Sequence, residues 1–133
     1  MGESLPLIGR FMLETAAILI ALGGLYDIFV PRLPANLLAQ CSHDEKACKL
    51  ARELLRALGG SLVAIGLTVG VLIASTPVQA PARTLLLVLL LVLPSEGINS
   101  FCMRRVGSPF YIPMAFALLT LLGVVLAWPT SRI

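Results

Sequence analysis

The chain has 133 residues, room for one domain, with 58% apolar against 13% charged residues and a mean hydropathy of +0.95. Soluble domains hold about half apolar and about a quarter charged residues, so a water-soluble monomer is excluded. The formal charge of +3 does not indicate a nucleic-acid binder, because the Lys and Arg residues gather at the ends of apolar runs, as topology signals do.

The first run, 7–30, would be about 36 Å long as a helix, enough to cross the hydrocarbon with some tilt. Pro31 and Pro34 end it. A cleaved signal peptide is not expected, since the first ten residues, MGESLPLIGR, hold one Arg, Glu14 interrupts the apolar stretch and no A-x-A site follows. Next comes the one sizeable loop, 31–53. Its second half opens the stretch SHDEKACKLARELLRA, which reads as an amphipathic helix capped by Ser42, with Asp44 and Glu45 in its first turn. The second run, 54–74, ends at Ser75, Thr76 and Pro77. The third, 84–103, opens with TLLLVLLLVL and turns polar through Pro94, Ser95, Glu96, Asn99 and Ser100. The fourth, 110–128, has Pro109 and Pro113 near its start, where missing amides cost little, and Pro129 after its end. Short second and third loops imply antiparallel neighbours. The expected fold is therefore all-α: an integral membrane up-down four-helix bundle forming one domain over 1–133, with an amphipathic loop segment between helices 1 and 2.

Within lipid, helices gain nothing from the hydrophobic effect against one another, so small residues that admit close backbone approach carry the packing. Gly59, Gly60, Gly66, Gly70 and Ala74 lie broadly on one side of the second run, and Gly66 to Gly70 is a G-x-x-x-G step. Ala17, Ala21 and Gly24 in the first run, and Gly123 and Ala127 in the fourth, have similar spacing, which points to internal packing rather than a homodimer seam. Leu-Gly-Gly occurs at 22–24 and again at 58–60, at opposite ends of two runs, and reads as coincidence. Tyr26 and Tyr111 fall at one membrane face and Trp128 at the other, as an aromatic belt would.

Four antiparallel crossings bring the ends of the first and third runs to the face where the second and fourth begin. Asp27, Arg56, Glu96 and Asn99 gather toward it as a polar intramembrane cluster, flanked by His43, Arg104 and Arg105. Glu96, Asn99, Ser100 and Met103 share one stripe by three-and-four spacing. A carboxylate in the apolar layer is costly and is expected to face the bundle with a partner; Arg56 is its natural counter-ion and Asp27 the competitor. One acid and one base define no reaction, so a register-fixing ion pair is favoured over catalysis or transport. At the opposite face Glu14, a secondary membrane acid, stands four residues after Arg10 and reads as a snorkelling pair.

Cys41 and Cys48 are seven apart. On one helix their Cα atoms would be about 10 Å apart, too far for a disulfide, whereas an extended or turned loop would let them pair. C-x6-C with one His is a poor zinc spacing, and Cys102 at the same face lacks the C-x-x-C of a redox relay. Arg32, Lys46, Lys49, Arg52, Arg104 and Arg105 outnumber Arg10, Arg83 and Arg132 on the other side. The positive-inside rule therefore places both termini outside and predicts free thiols at Cys41 and Cys48, while a disulfide would argue the reverse.

Pro31 after the first run, Leu55 to Leu67 (LRALGGSLVAIGL) opening the second, and the G-x-P turn from Gly107 to Pro109 before the fourth form an ordered set of landmarks over nearly the whole chain. In this ordering the chain resembles the small four-helix bacterial membrane proteins grouped with the DoxX-like superfamily. The resemblance implies a four-helix fold in a bacterial inner (plasma) membrane and carries over no common activity. Such proteins often show an Arg late in helix three, where this chain has Glu96 and Asn99. Glu14 also invites comparison with small multidrug-type exporters, from which the chain departs in lacking pocket aromatics in the second and third runs and in its longer first loop.

No metal cage, phosphate loop or nucleophilic triad identifies catalytic residues, and no cofactor or metal is expected. The sequence thus favours a non-enzymatic multi-pass membrane protein that scaffolds or binds a lipid-like or protein partner within the bilayer. Its expected partners are the lipid bilayer, a hydrophobic small molecule or membrane protein, or further copies of itself, and not nucleic acid. The alternatives are a small proton-coupled transporter using Glu96 or Glu14, and a membrane thiol-redox protein using Cys41, Cys48 and Cys102.

Overall fold

The computed structural model describes residues 4–41, 43–77 and 80–129. These form five helices: α1 (Ser4–Phe29), α2 (Ala35–Cys41), α3 (Glu45–Ala74), α4 (Ala82–Arg105) and α5 (Tyr111–Ala127). The described residues are all-α, and α1, α3 and α4 are long and apolar enough to cross a membrane. The apolar α5 has 17 residues, about 26 Å at the α-helical rise.

The amphipathic segment and the second apolar run are one uninterrupted helix of 30 residues, α3, about 45 Å long. No breaker separates them, since the junction ARELLRAL is built of strong helix formers. Its cap is Asp44, in extended backbone, whose carboxylate accepts from the amides of Lys46 at 3.0 Å and Ala47 at 3.1 Å. The expected cap, Ser42, lies outside the described residues, as does Arg132.

Helix α1 is the hub. It packs along both α3 and α5, α4 packs along α5, and α3 touches α4 only lightly. The short connection between α3 and α4 therefore does not produce the close pairing expected of consecutive helices. The contacts at α1 explain the difference. A Cβ at Gly24 or at Gly59 would sit 2.5 Å from the other glycine's carbonyl oxygen. One at Gly66 would lie 2.7 Å from the Ala17 carbonyl oxygen, and one at Gly9 2.7 Å from that of Gly123. Positions descend along α1 as they ascend along α3 and α5, so both neighbours run antiparallel to it. The face of α4 instead presents Leu85, Val88 and Val92, which hold backbones apart while filling a core with Leu13, Ile20, Val69, Ile73 and Val124.

The two Leu-Gly-Gly copies therefore meet. Opposite ends of antiparallel helices lie at one level, so the arrangement that reads as coincidence along the chain is the α1–α3 crossing in space. Of the other glycines on α3, Gly70 is in ordinary contact with Ala17, and Gly60 faces open space.

Around this small core the outer surface is apolar. Phe11, Ile18 and Leu22 on α1, Leu67 and Val71 on α3, Leu90 and Ile98 on α4, and Leu118, Leu122 and Val125 on α5 are all exposed. The hydroxyls on these outer faces are internally satisfied: Thr15 donates to the Phe11 carbonyl at 2.8 Å and Thr68 to that of Ala64 at 2.7 Å. Helix α4 ends in a Schellman turn, with the Ser108 amide on the Met103 carbonyl and Gly107 on that of Arg104. Gly107 has φ +72°, and a Cβ there would also meet the Asn36 side chain at 3.1 Å.

Candidate functional site

Leu85, Val88, Val92 and Glu96 are the buried residues of α4, and their spacing of three, four and four aligns them on one face. The first three supply core contacts, and the same register carries Glu96 inward. It is 1% exposed, and neither carboxyl oxygen has a hydrogen-bond partner. Asn99, half-buried one turn further on, is a polar neighbour of the carboxyl, but the two are not aligned for a well-formed hydrogen bond. Ser100, on the same stripe, donates instead to the Phe110 carbonyl at 3.3 Å and ties α4 to the start of α5. From Arg104 back to Glu96 is about 12 Å along the helix.

The expected counter-ion is elsewhere. Arg56 is exposed and bonds Glu53 at 2.7 Å, one turn away on its own helix. A local pair at the surface keeps both groups hydrated, whereas carrying a guanidinium into the core would strip its solvent. Asp27 is half-buried near the glycine crossing, its Cβ 3.0 Å from where a Cβ on Gly59 would stand, and it makes no hydrogen bond to Glu96. The four polar residues gathered by sequence spacing are thus one buried carboxyl, two half-buried neighbours and one surface cation.

Thr120 is the other buried polar side chain among the described residues, and sequence spacing gave no sign of it. Its hydroxyl donates to the Phe116 carbonyl at 2.9 Å, which satisfies it within α5. At the opposite end, the Arg10–Glu14 pair forms as expected at 2.9 Å, and Arg10 also donates to the Thr76 carbonyl at 2.9 Å. That second bond latches α1 to the end of α3. The crevice beside it, lined by Arg10, Leu13, Ile73 and Ala127, has no room for a water molecule.

Cys41 and Cys48 form a disulfide, contrary to the expectation of free thiols. They are not on one helix: Cys41 ends α2, Cys48 lies in the first turn of α3, and the reversal between them brings their Cα atoms to 5.3 Å. Cys102 is free and exposed. No family model, curated protein or solved structure matches the chain.

Proposed function

We propose that the chain is a multi-pass integral membrane protein, an up-down bundle of α1, α3, α4 and α5, that binds a lipid-like or protein partner within the bilayer without catalysing a reaction. The observation that carries the reading is Glu96: fully buried, on a membrane-length helix, with no ion or hydrogen bond to satisfy it. An ionisable residue at such a depth is expensive to keep, and its default explanation is a functional one. The register-fixing ion pair that would have explained it structurally is missing, because Arg56 belongs to Glu53. The light α3–α4 contact supports the same reading, since α4 can part from α3 more cheaply than from α5, giving a partner's donor group a path to the carboxyl.

The disulfide supports an oxidising compartment for the Cys41 face and, with four spans, termini on the reducing side, the reverse of the charge-based expectation. Placement in a bacterial inner membrane, and among DoxX-like proteins, rests on the sequence landmarks alone.

The test compares the parent with Glu96→Gln after extraction from the native membrane. Binding predicts that the variant matches or exceeds the parent in thermal stability and loses an apolar ligand that native mass spectrometry finds on the parent. A proton flux in liposomes that vanishes in Glu96→Gln would favour the transporter alternative. A sharp loss of stability would make Glu96 a structural residue.

A further inference from the structure

Six cations at the Cys41 end, Arg32, Lys46, Lys49, Arg52, Arg104 and Arg105, are exposed and make no ion pair among the described residues. Of the nearby acids, Glu53 is taken by Arg56 and Asp44 caps α3, which leaves the exposed Glu45 in the first turn of α3 as one acid among six cations. The cations surround the rim of the bundle: Arg104 and Arg105 close α4, and Lys46, Lys49 and Arg52 lie on the first turns of α3. About 45 Å of α3 exceeds an apolar layer of about 30 Å by roughly ten residues, which puts those turns at headgroup depth. The arginines at the end of α4 stand over aromatic rings, Arg104 at 5.9 Å from the centre of Phe110 and Arg105 at 5.0 Å from that of Phe101. Phe101 and Tyr111 are exposed beside them, as interfacial aromatics are.

Two topology signals conflict at this rim. The disulfide assigns it to an oxidising compartment, whereas the positive-inside rule assigns so many Lys and Arg to the other side. They are reconciled if the cations serve a ligand rather than orientation. We infer that this rim binds the phosphate headgroups of anionic phospholipids, with Arg104 and Arg105 as one contact and Lys49 and Arg52 as the other. A lipid fits better than a soluble anion because the cations ring an apolar surface, so a bound headgroup leaves its acyl chains against exposed Phe101, Ile98 and Leu54. The proposal rests on the multi-pass reading above and is independent of what Glu96 does.

The experiment uses the full chain with its disulfide intact, in nanodiscs of mixed phosphatidylglycerol and phosphatidylcholine, with the retained lipids counted by native mass spectrometry after release. The parent keeps phosphatidylglycerol over phosphatidylcholine. Arg104→Gln/Arg105→Gln and Lys49→Gln/Arg52→Gln each lower that preference by roughly tenfold or more, and Arg83→Gln at the other end leaves it unchanged. Equal retention of both lipids, or an Arg83→Gln effect as large as the rim variants', overturns the inference. Thermal unfolding of each variant confirms that a loss is not misfolding. Reporter fusions at the two termini separate this inference from the reading beneath it: on the same side, a negative lipid result fells this inference alone; on opposite sides, the four-span reading itself fails.

Discussion

Glu96 is the residue at which this sequence works against its own stability. A buried carboxyl with neither oxygen bonded keeps its desolvation cost without recovering it, so replacement by an apolar side chain of similar size removes a penalty. Glu96→Leu is therefore expected to stabilise the protein by about 1–3 kcal/mol, read as a higher unfolding temperature in detergent. Gly107 and Asp44 behave in the ordinary direction. Gly107→Ala forces a side chain into a left-handed backbone and against Asn36, and should cost about 1–2 kcal/mol. Asp44→Ala leaves two amides of α3 uncapped and should cost about 1 kcal/mol. Inward burial of Glu96 was legible because three-and-four spacing places it in register with Val88 and Val92. Its counter-ion was misread, since distance along a bundle says nothing about whether Glu53, one turn from Arg56, captures the guanidinium first. The cap was misread by two residues, because Ser42 and Asp44 are both competent side chains and only the turn from α2 decides between them.

The helices are arranged by backbone proximity rather than by loop length. Gly9, Gly24, Gly59 and Gly66 lie where a Cβ would strike a neighbouring backbone, so Gly24→Ala or Gly66→Ala should destabilise by about 1–3 kcal/mol through overpacking. Gly60→Ala and Gly97→Ala meet nothing within 4 Å and should be neutral or gain up to about 1 kcal/mol from helix propensity. Thermal unfolding of these four variants in one detergent checks the division. Small-residue packing was legible in Ala17, Ala21, Gly24, Gly66 and Gly123. The meeting of the two Leu-Gly-Gly copies was not, because it requires knowing that α1 and α3 run antiparallel in the register that brings 24 to 59. The continuity of α3 was missed for a related reason: a change in polarity along a helix marks where its surroundings change, not where the helix stops.

At the scale of the molecule, a small core inside a surface of exposed Leu, Ile, Val and Phe is the pattern of a chain whose solvent is lipid. Helical class and four apolar runs were legible from composition and periodicity. Orientation was not, because the six cations and the two sulfurs at one rim carry opposite topological weight. With the disulfide formed, a membrane-impermeant maleimide should label Cys102 and leave Cys41 and Cys48 silent until an external reductant is added. The most direct test of the four-span account is a dual reporter scan in cells, with fusions at the amino terminus, after His43 and at the carboxyl terminus. The account predicts both termini on the reducing side and the His43 fusion on the oxidising side; termini that score on opposite sides, or a His43 fusion that shares their side, would contradict it.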